Sequence, residues 1–152
     1  LLPFTVLLAS CSPAQQEAAA PPALSRHPET GLDVIALSVT SAAKRHDFRV
    51  EVARTGQDQA KGLMFRTAIA PDEGMLFPME PPRMASFWMR NTVIPLDIIF
   101  IGKDRRIINI AADTVPYSES PVEAAGLTAA VLELNGGRAA QLGIGPGDRV
   151  EW

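Results

Sequence analysis

The densest run of chemically capable side chains in the sequence is Phe87-Trp88-Met89-Arg90-Asn91, with Asp97 a short way downstream. If residues 87–90 are extended, alternation places Trp88 and Arg90 on one side and Phe87 and Met89 on the other. An indole beside a guanidinium offers a flat apolar surface for a sugar ring and a bidentate donor for a carboxylate or phosphate. The same pair also arises from packing alone, with Trp88 filling core volume and Arg90 covering its edge, and packing is the commoner cause. Asn91, closing the strand, can meet a ligand amide or hydroxyl or simply organise a turn. Asp97 stands in the apolar stretch Val93-Ile94-Pro95-Leu96-Asp97-Ile98-Ile99-Phe100-Ile101. An unpaired charge there would be costly, so the carboxylate needs a cation or backbone donors, and Arg66 and Arg90 are the expected partners. An internal strut is the usual role of such an acid; at the mouth of a cleft it would orient a ligand or serve as an acid or base.

Other catalytic and metal schemes find little support. His46 lies between Arg45 and Asp47 at an expected strand entrance, a place for a solvated turn residue rather than a general base. There is no G-x-S-x-G, no phosphate-cradling glycine loop and no His-x-x-x-His pair. Paired carboxylates for glycoside hydrolysis are a matter of spatial separation, and the sequence nominates no such pair. Met64, Met75, Met79, Met84 and Met89 are all the methionines of the chain and fall in one segment, which raises Cu(I) binding through thioethers. Their spacing is irregular and three sit in hydrophobic runs, so gap filling is the stronger reading and no metal or other cofactor is expected. Cys11 is the single cysteine, which excludes an internal disulfide and a thiolate cage. A formal net charge of −3 without a basic cluster disfavours nucleic acid as a partner.

The elements that must position these residues are mostly strands. From Leu32 onward, short apolar runs alternate with Gly, Pro and Asp punctuation. Strands are expected over 34–40, 47–53, 75–79, 85–90, 97–101, 106–112, 129–134 and near 149–152. In Phe48-Arg49-Val50-Glu51-Val52 the apolar residues fall two apart, the pattern of a half-buried strand. Two short helices are expected. The first is capped by Thr55, with Asp58 at its third position, and runs toward Leu63; the second covers 138–142 and stops at Gly143. The expected fold is mainly β, one compact sandwich or partly open barrel with about two short helices.

Gly62-Leu63-Met64-Phe65-Arg66, Gly74-Met75-Leu76-Phe77 and the run from Phe87 to Asp97 recur in a recognisable order with Leu132-Glu133-Leu134-Asn135-Gly136-Gly137 and Gly145-Pro146-Gly147-Asp148. From about Asp47 to Trp152 this pattern resembles the bacterial and archaeal family known as Domain of Unknown Function 192. The family's usual lysine after Trp-Met is here Arg90, which keeps the charge and changes its hydrogen-bond geometry. The resemblance implies a compact β-rich fold, frequently exported, with no established activity, and it brings no catalytic residue with it.

The N-terminal residues carry an address. Residues 1–10 read as a signal-peptide remnant, apolar from Leu1 to Ala9 but without an initial Met or a positive stretch, ending in a lipobox. Leu8-Ala9-Ser10-Cys11 has the branched residue, two small residues and cysteine of that motif, so Cys11 is the expected site of lipidation. Ser12 after the cysteine weakly favours the outer membrane. Residues 11–31, rich in Ala, Pro, Gln and Ser, are expected to form a flexible tether, with 32–152 the single folded domain. Together these features predict an exported periplasmic domain, lipid-anchored to the envelope, that binds a small or glycan-like ligand without catalysis through Arg66, Trp88, Arg90, Asn91 and Asp97. The alternatives are a hydrolase using Asp97, an assembly protein whose partner docks on a sheet edge and, least favoured, Met-based copper binding.

Overall fold

The computed structural model describes residues 25–152; the expected signal segment, Cys11 and most of the expected tether lie outside them. The elements in chain order are β1 (Ser25–Arg26), β2 (Asp33–Ser41), β3 (Lys44–Val52), α1 (Gly56–Lys61), β4 (Glu73–Phe87), β5 (Leu96–Gly102), β6 (Ile107–Ala111), β7 (Val122–Asn135), α2 (Arg138–Leu142) and β8 (Arg149–Glu151). All eight strands join one sheet in the order β1-β2-β3-β4-β7-β5-β6, with β8 also on β2. The ends of the sheet approach each other at a bridge between Arg106 and Arg149, reinforced by Ile107 N–H to the Asp148 carbonyl at 2.9 Å and Val150 N–H to the Arg105 carbonyl at 2.8 Å. No continuous ladder closes it, so this is the partly open, β-rich form expected.

Both faces of the sheet are apolar. Leu37, Val39, Phe48, Val50, Leu76, Ile99, Ile101, Leu132, Leu134 and Val150 form an inner core to which nearly every strand contributes. The alternate residues Met75, Phe77, Ile98, Phe100 and Val131 form an outer core on β4, β7 and β5, packed with Ala53 and Leu63. Strand β3 pairs with β4 in parallel, and a parallel pair needs a crossover. The crossover, residues 53–72, carries α1 and supplies Ala53 and Leu63 to cover the outer face. Thr55 caps α1 as expected, Asp58 returns a bond to the Thr55 N–H to complete a capping box, and Gln59 ties the crossover to the sheet through the carbonyls of Ala53 (3.1 Å) and Pro78 (2.8 Å).

Several elements depart from the sequence expectation. The strands expected at 75–79 and 85–90 are one continuous β4 with irregular register around Pro78–Ser86, and it ends at Phe87 rather than Arg90. Strand β7 begins at Val122, because Val122, Glu123, Leu127 and Thr128 pair with the far half of β4 across an irregular Ala124-Ala125-Gly126 step that lacks an apolar alternation. The folded domain also starts before residue 32: β1 pairs with β2, and His27 N–H reaches the Leu32 carbonyl at 2.8 Å. His46 is not a solvated turn residue. It shares the inward side of β3 with Phe48 and Val50, is 8% exposed, and its Nε2 has no partner among the described residues.

At the start of β4 the strands pass so closely that a Cβ on Gly74 would collide with the Glu133 carbonyl oxygen and lie 2.9 Å from Leu134 Cδ2. Two backbones cannot easily give way there, so Gly74→Ala should lower the unfolding free energy by about 2–3 kcal/mol. Urea denaturation monitored by circular dichroism checks this; an unchanged midpoint would mean that β4 and β7 separate freely.

Candidate functional site

The end of β4, the loop that follows it and the crossover enclose a groove of about 300 Å³. Its apolar wall is Leu63, Met64, Phe77, Met79 and Phe87, and Phe87 meets the Phe77 ring edge-on at 5.1 Å between centroids. Trp88 and Arg90 line the same groove. Trp88 remains 47% exposed although it is large and apolar, and the Arg90 guanidinium lies 5.4 Å from its ring centroid. The two come together although residues 88–90 lie beyond the strand, so strand alternation does not account for it, and Phe87, expected on the opposite side, lines the same groove. Arg90 has one carboxylate nearby, Glu119 at 3.5 Å, with both side chains more than half exposed.

Asn91 shapes this loop. It adopts a positive φ of 54°, its carbonyl accepts from Phe65 N–H at 2.9 Å, and its amide donates to Met64 Sδ at 3.9 Å. It clips the loop after β4 to the crossover and holds two walls of the groove in place. Arg66 is directed elsewhere. Its guanidinium, 17% exposed, bonds Glu51 at 2.6 Å, while Thr30 Oγ1 donates to the other Glu51 oxygen at 2.5 Å and His27 Nε2 lies 3.7 Å away. Arg66 lines an adjoining cavity of about 320 Å³ that shares Lys61, Gly62 and Met64 with the Trp88 groove.

Asp97 belongs to neither cavity. It is fully buried, and its oxygens accept from the backbone N–H groups of Asp113 (2.8 Å), Gly137 (2.9 Å) and Ala139 (2.7 Å). The expected arginine partners are replaced by amides because β5 delivers the carboxylate to the start of α2, where the first N–H groups of a helix lack intrahelical acceptors. Asp97 thus fixes the β7–α2 turn. The methionines serve packing: Met75, Met79 and Met89 belong to the outer core, Met64 lines the groove and Met84 is 60% exposed.

Sequence reasoning passed over the acid that does face the groove. Glu133, near the C-terminal end of β7, shares the outer face with Val131 and lies between Met75 of β4 and Ile98 of β5. It lines the groove, is only 5% exposed, and has no hydrogen bond or ion pair among the described residues. Burial alone pushes its carboxyl from 4.5 up to about 8. The signal was present: in Ala130-Val131-Leu132-Glu133-Leu134 the charge occupies an apolar phase of the alternation. Gln59, Lys61, Arg83, Ser86 and Thr92 complete the polar lining.

Residues 37–152 match the family model described as uncharacterized ACR, Domain of Unknown Function 192. The chain belongs to this family. The match begins ten residues before the segment that carries the resemblance in sequence, in β2. A solved structure of a Novosphingobium aromaticivorans protein of unknown function is 58% identical, with a TM-score of 0.84, covering 95% of this chain and all of the other. A Sinorhizobium meliloti protein, named for a suggested role in transcription regulation, is 41% identical with a TM-score of 0.74, over 76% of this chain and 91% of the other. No curated protein matches the chain. Membership in the Domain of Unknown Function 192 family thus defines the fold and assigns no chemistry to the groove.

Glu133 gives stability a distinct pH dependence. Its carboxyl releases its proton near 4.5 in the unfolded chain and near 8 in the fold, so between those values the folded state holds a proton that the unfolded state has lost. The stabilisation is complete below 4.5 and is lost as pH rises toward about 8. Glu133→Gln should remove a fall on the order of 3 kcal/mol between about pH 5 and pH 8. Urea titrations of both proteins across that range measure it, and parallel curves would show that Glu133 finds a partner in solution.

Proposed function

We propose that the domain binds a small or glycan-like ligand, without catalysis, in the groove beside Trp88. The observation that carries this reading is the half-exposed Trp88 indole, stacked by Arg90, at the edge of a cavity with an apolar wall. An aromatic platform with an apolar body and charged neighbours suits a sugar face and its substituents. The five residues named from sequence then take different roles. Trp88 and Arg90 contact the ligand, Asn91 and Arg66 hold the walls, and Asp97 braces the sheet behind them. A hydrolase built on Asp97 has no support, since its oxygens are occupied by three backbone amides.

Tryptophan fluorescence of the native chain against a panel of mono- and oligosaccharides detects binding at Trp88, and calorimetric titration compares its affinity with that of the variant. Trp152, stacked 3.3 Å beneath Arg105, is the internal reference. Trp88→Ala should weaken any saturable binding by about tenfold or more, the loss of an aromatic anchor. Undiminished affinity in that variant would place the ligand elsewhere.

The Leu8-Ala9-Ser10-Cys11 motif supports a periplasmic location with the domain tethered to the membrane by lipid on Cys11. Full-length protein isolated from cells should carry an acyl mass that Cys11→Ala lacks, and the variant should leave the membrane fraction. Retention of the variant in membranes would point to another anchor.

A further inference from the structure

The groove beside Trp88 has a mouth and a floor of opposite character, and on the ligand-binding reading above this narrows the ligand's chemistry. Lys61 of α1, Arg83 of β4 and Arg90 of the following loop are all exposed and all line it. Their internal engagements are slight: Arg83 reaches Gln59 Oε1 at 3.5 Å, and Arg90 approaches Glu119 at the same distance. Glu133, buried where the three cations are exposed, lines the same groove together with Leu63, Phe77, Met79 and Phe87. Its sheet neighbours are the apolar Met75 and Ile98; Glu51 is one strand beyond Met75 and is already neutralised by Arg66. No other carboxyl group lines the groove among the described residues.

A buried carboxyl without a partner avoids the cost of an isolated charge by keeping its proton. It then presents an O–H donor to a cavity that has cations at its entrance. An anion is attracted to that entrance and a cation repelled. The volume of about 300 Å³ lies at the small end for ligand sites and suits a ring of sugar size.

We propose that the groove binds an anionic sugar, its acidic group held at the mouth by Arg90, Lys61 and Arg83 while a neutral oxygen deeper in the groove accepts a hydrogen bond from Glu133. Carboxylated and phosphorylated sugars share this chemistry. Calorimetric titration of the full chain with glucuronate, a glucose phosphate, glucose and choline distinguishes the possibilities. Glucuronate or the phosphate ester should bind about tenfold or more tightly than glucose, and Arg90→Ala should erase that preference. Whichever of the two anions binds more tightly identifies the acidic group. Affinity for it should fall about tenfold between pH 7 and pH 9 as the protonated fraction of Glu133 declines. Glu133→Gln, which keeps a donor, should bind comparably at pH 7 and lose the pH dependence.

Equal binding of glucose and glucuronate, still sensitive to Trp88→Ala, would leave the sugar groove standing and overturn the anionic assignment. Choline binding that tightens as pH rises would overturn it in favour of a cation. Anion binding indifferent to pH would remove Glu133 from the site. Failure of all four probes would overturn both this assignment and the sugar-binding reading beneath it.

Discussion

Strands β4, β7 and β5 carry apolar side chains on both faces, and each face has to be shielded from water. The inner face is shielded by the curl of the sheet itself, through β2, β3 and β8. Among the described residues no second sheet covers the outer face, which is covered by the crossover that the parallel β3–β4 pairing makes necessary. One connection therefore meets a topological requirement and a hydrophobic one. Its short helix buries no residue of its own, so the seal is made by flanking residues such as Ala53 and Leu63. Where this cover stops, at the end of β4, the outer core meets water and the groove begins. The site is thus a consequence of incomplete coverage.

The same outer face carries two acids in one row. Glu51 on β3 is opposite Met75 on β4, which is opposite Glu133 on β7. With neighbouring strands about 4.8 Å apart, the two acids are separated by roughly 10 Å. Their treatment differs completely. Arg66, Thr30 and His27 converge on Glu51, turning a costly charge into a clasp between the sheet, the crossover and the segment after β1. Glu133 receives nothing comparable and is held neutral by desolvation. A well-packed apolar residue would be more stable at that position. The unfavourable acid is therefore the one on the outer face whose presence packing does not explain, and it is the one that lines the groove.

The β-rich class, the Thr55 cap of α1, α2 and most strand centres were legible because they depend on local rules: alternation, capping and glycine punctuation. The merging of two expected strands into β4 was not, because its far half is paired by residues 122–128, whose Ala- and Gly-rich sequence carries no periodic signal. At the site, the pairing of Trp88 with Arg90 was legible from their nearness in sequence, while the strand period that was to place them stops at Phe87. The setting of Arg66 was not, since Glu51 is fifteen residues away and reads as the solvent phase of a half-buried strand. Only the crossover makes that phase internal. Glu133 was visible as an exception within an apolar run, but its importance depends on which face has an opening.

Satisfaction of polar groups therefore separates structure from function more sharply than residue type does. Asp97 and Glu133 are both acids on apolar strands, β5 and β7, that pair with each other, and their charges look equally suspicious in sequence. Asp97 is surrounded by donors whose positions are fixed by the backbone, so its binding capacity is exhausted by holding the fold together. Arg66 commits one guanidinium nitrogen closely to Glu51 and is directed away from the Trp88 groove. Trp88, Arg90 and Glu133 retain capacity: an uncovered ring face, guanidinium donors with only a loose partner, and a carboxyl with none among the described residues. Three uncommitted groups of complementary kinds around one cavity are not what packing alone selects. Packing would have covered the indole, paired the arginine closely and replaced the acid. Their coexistence on one groove is the physical argument for the proposed ligand.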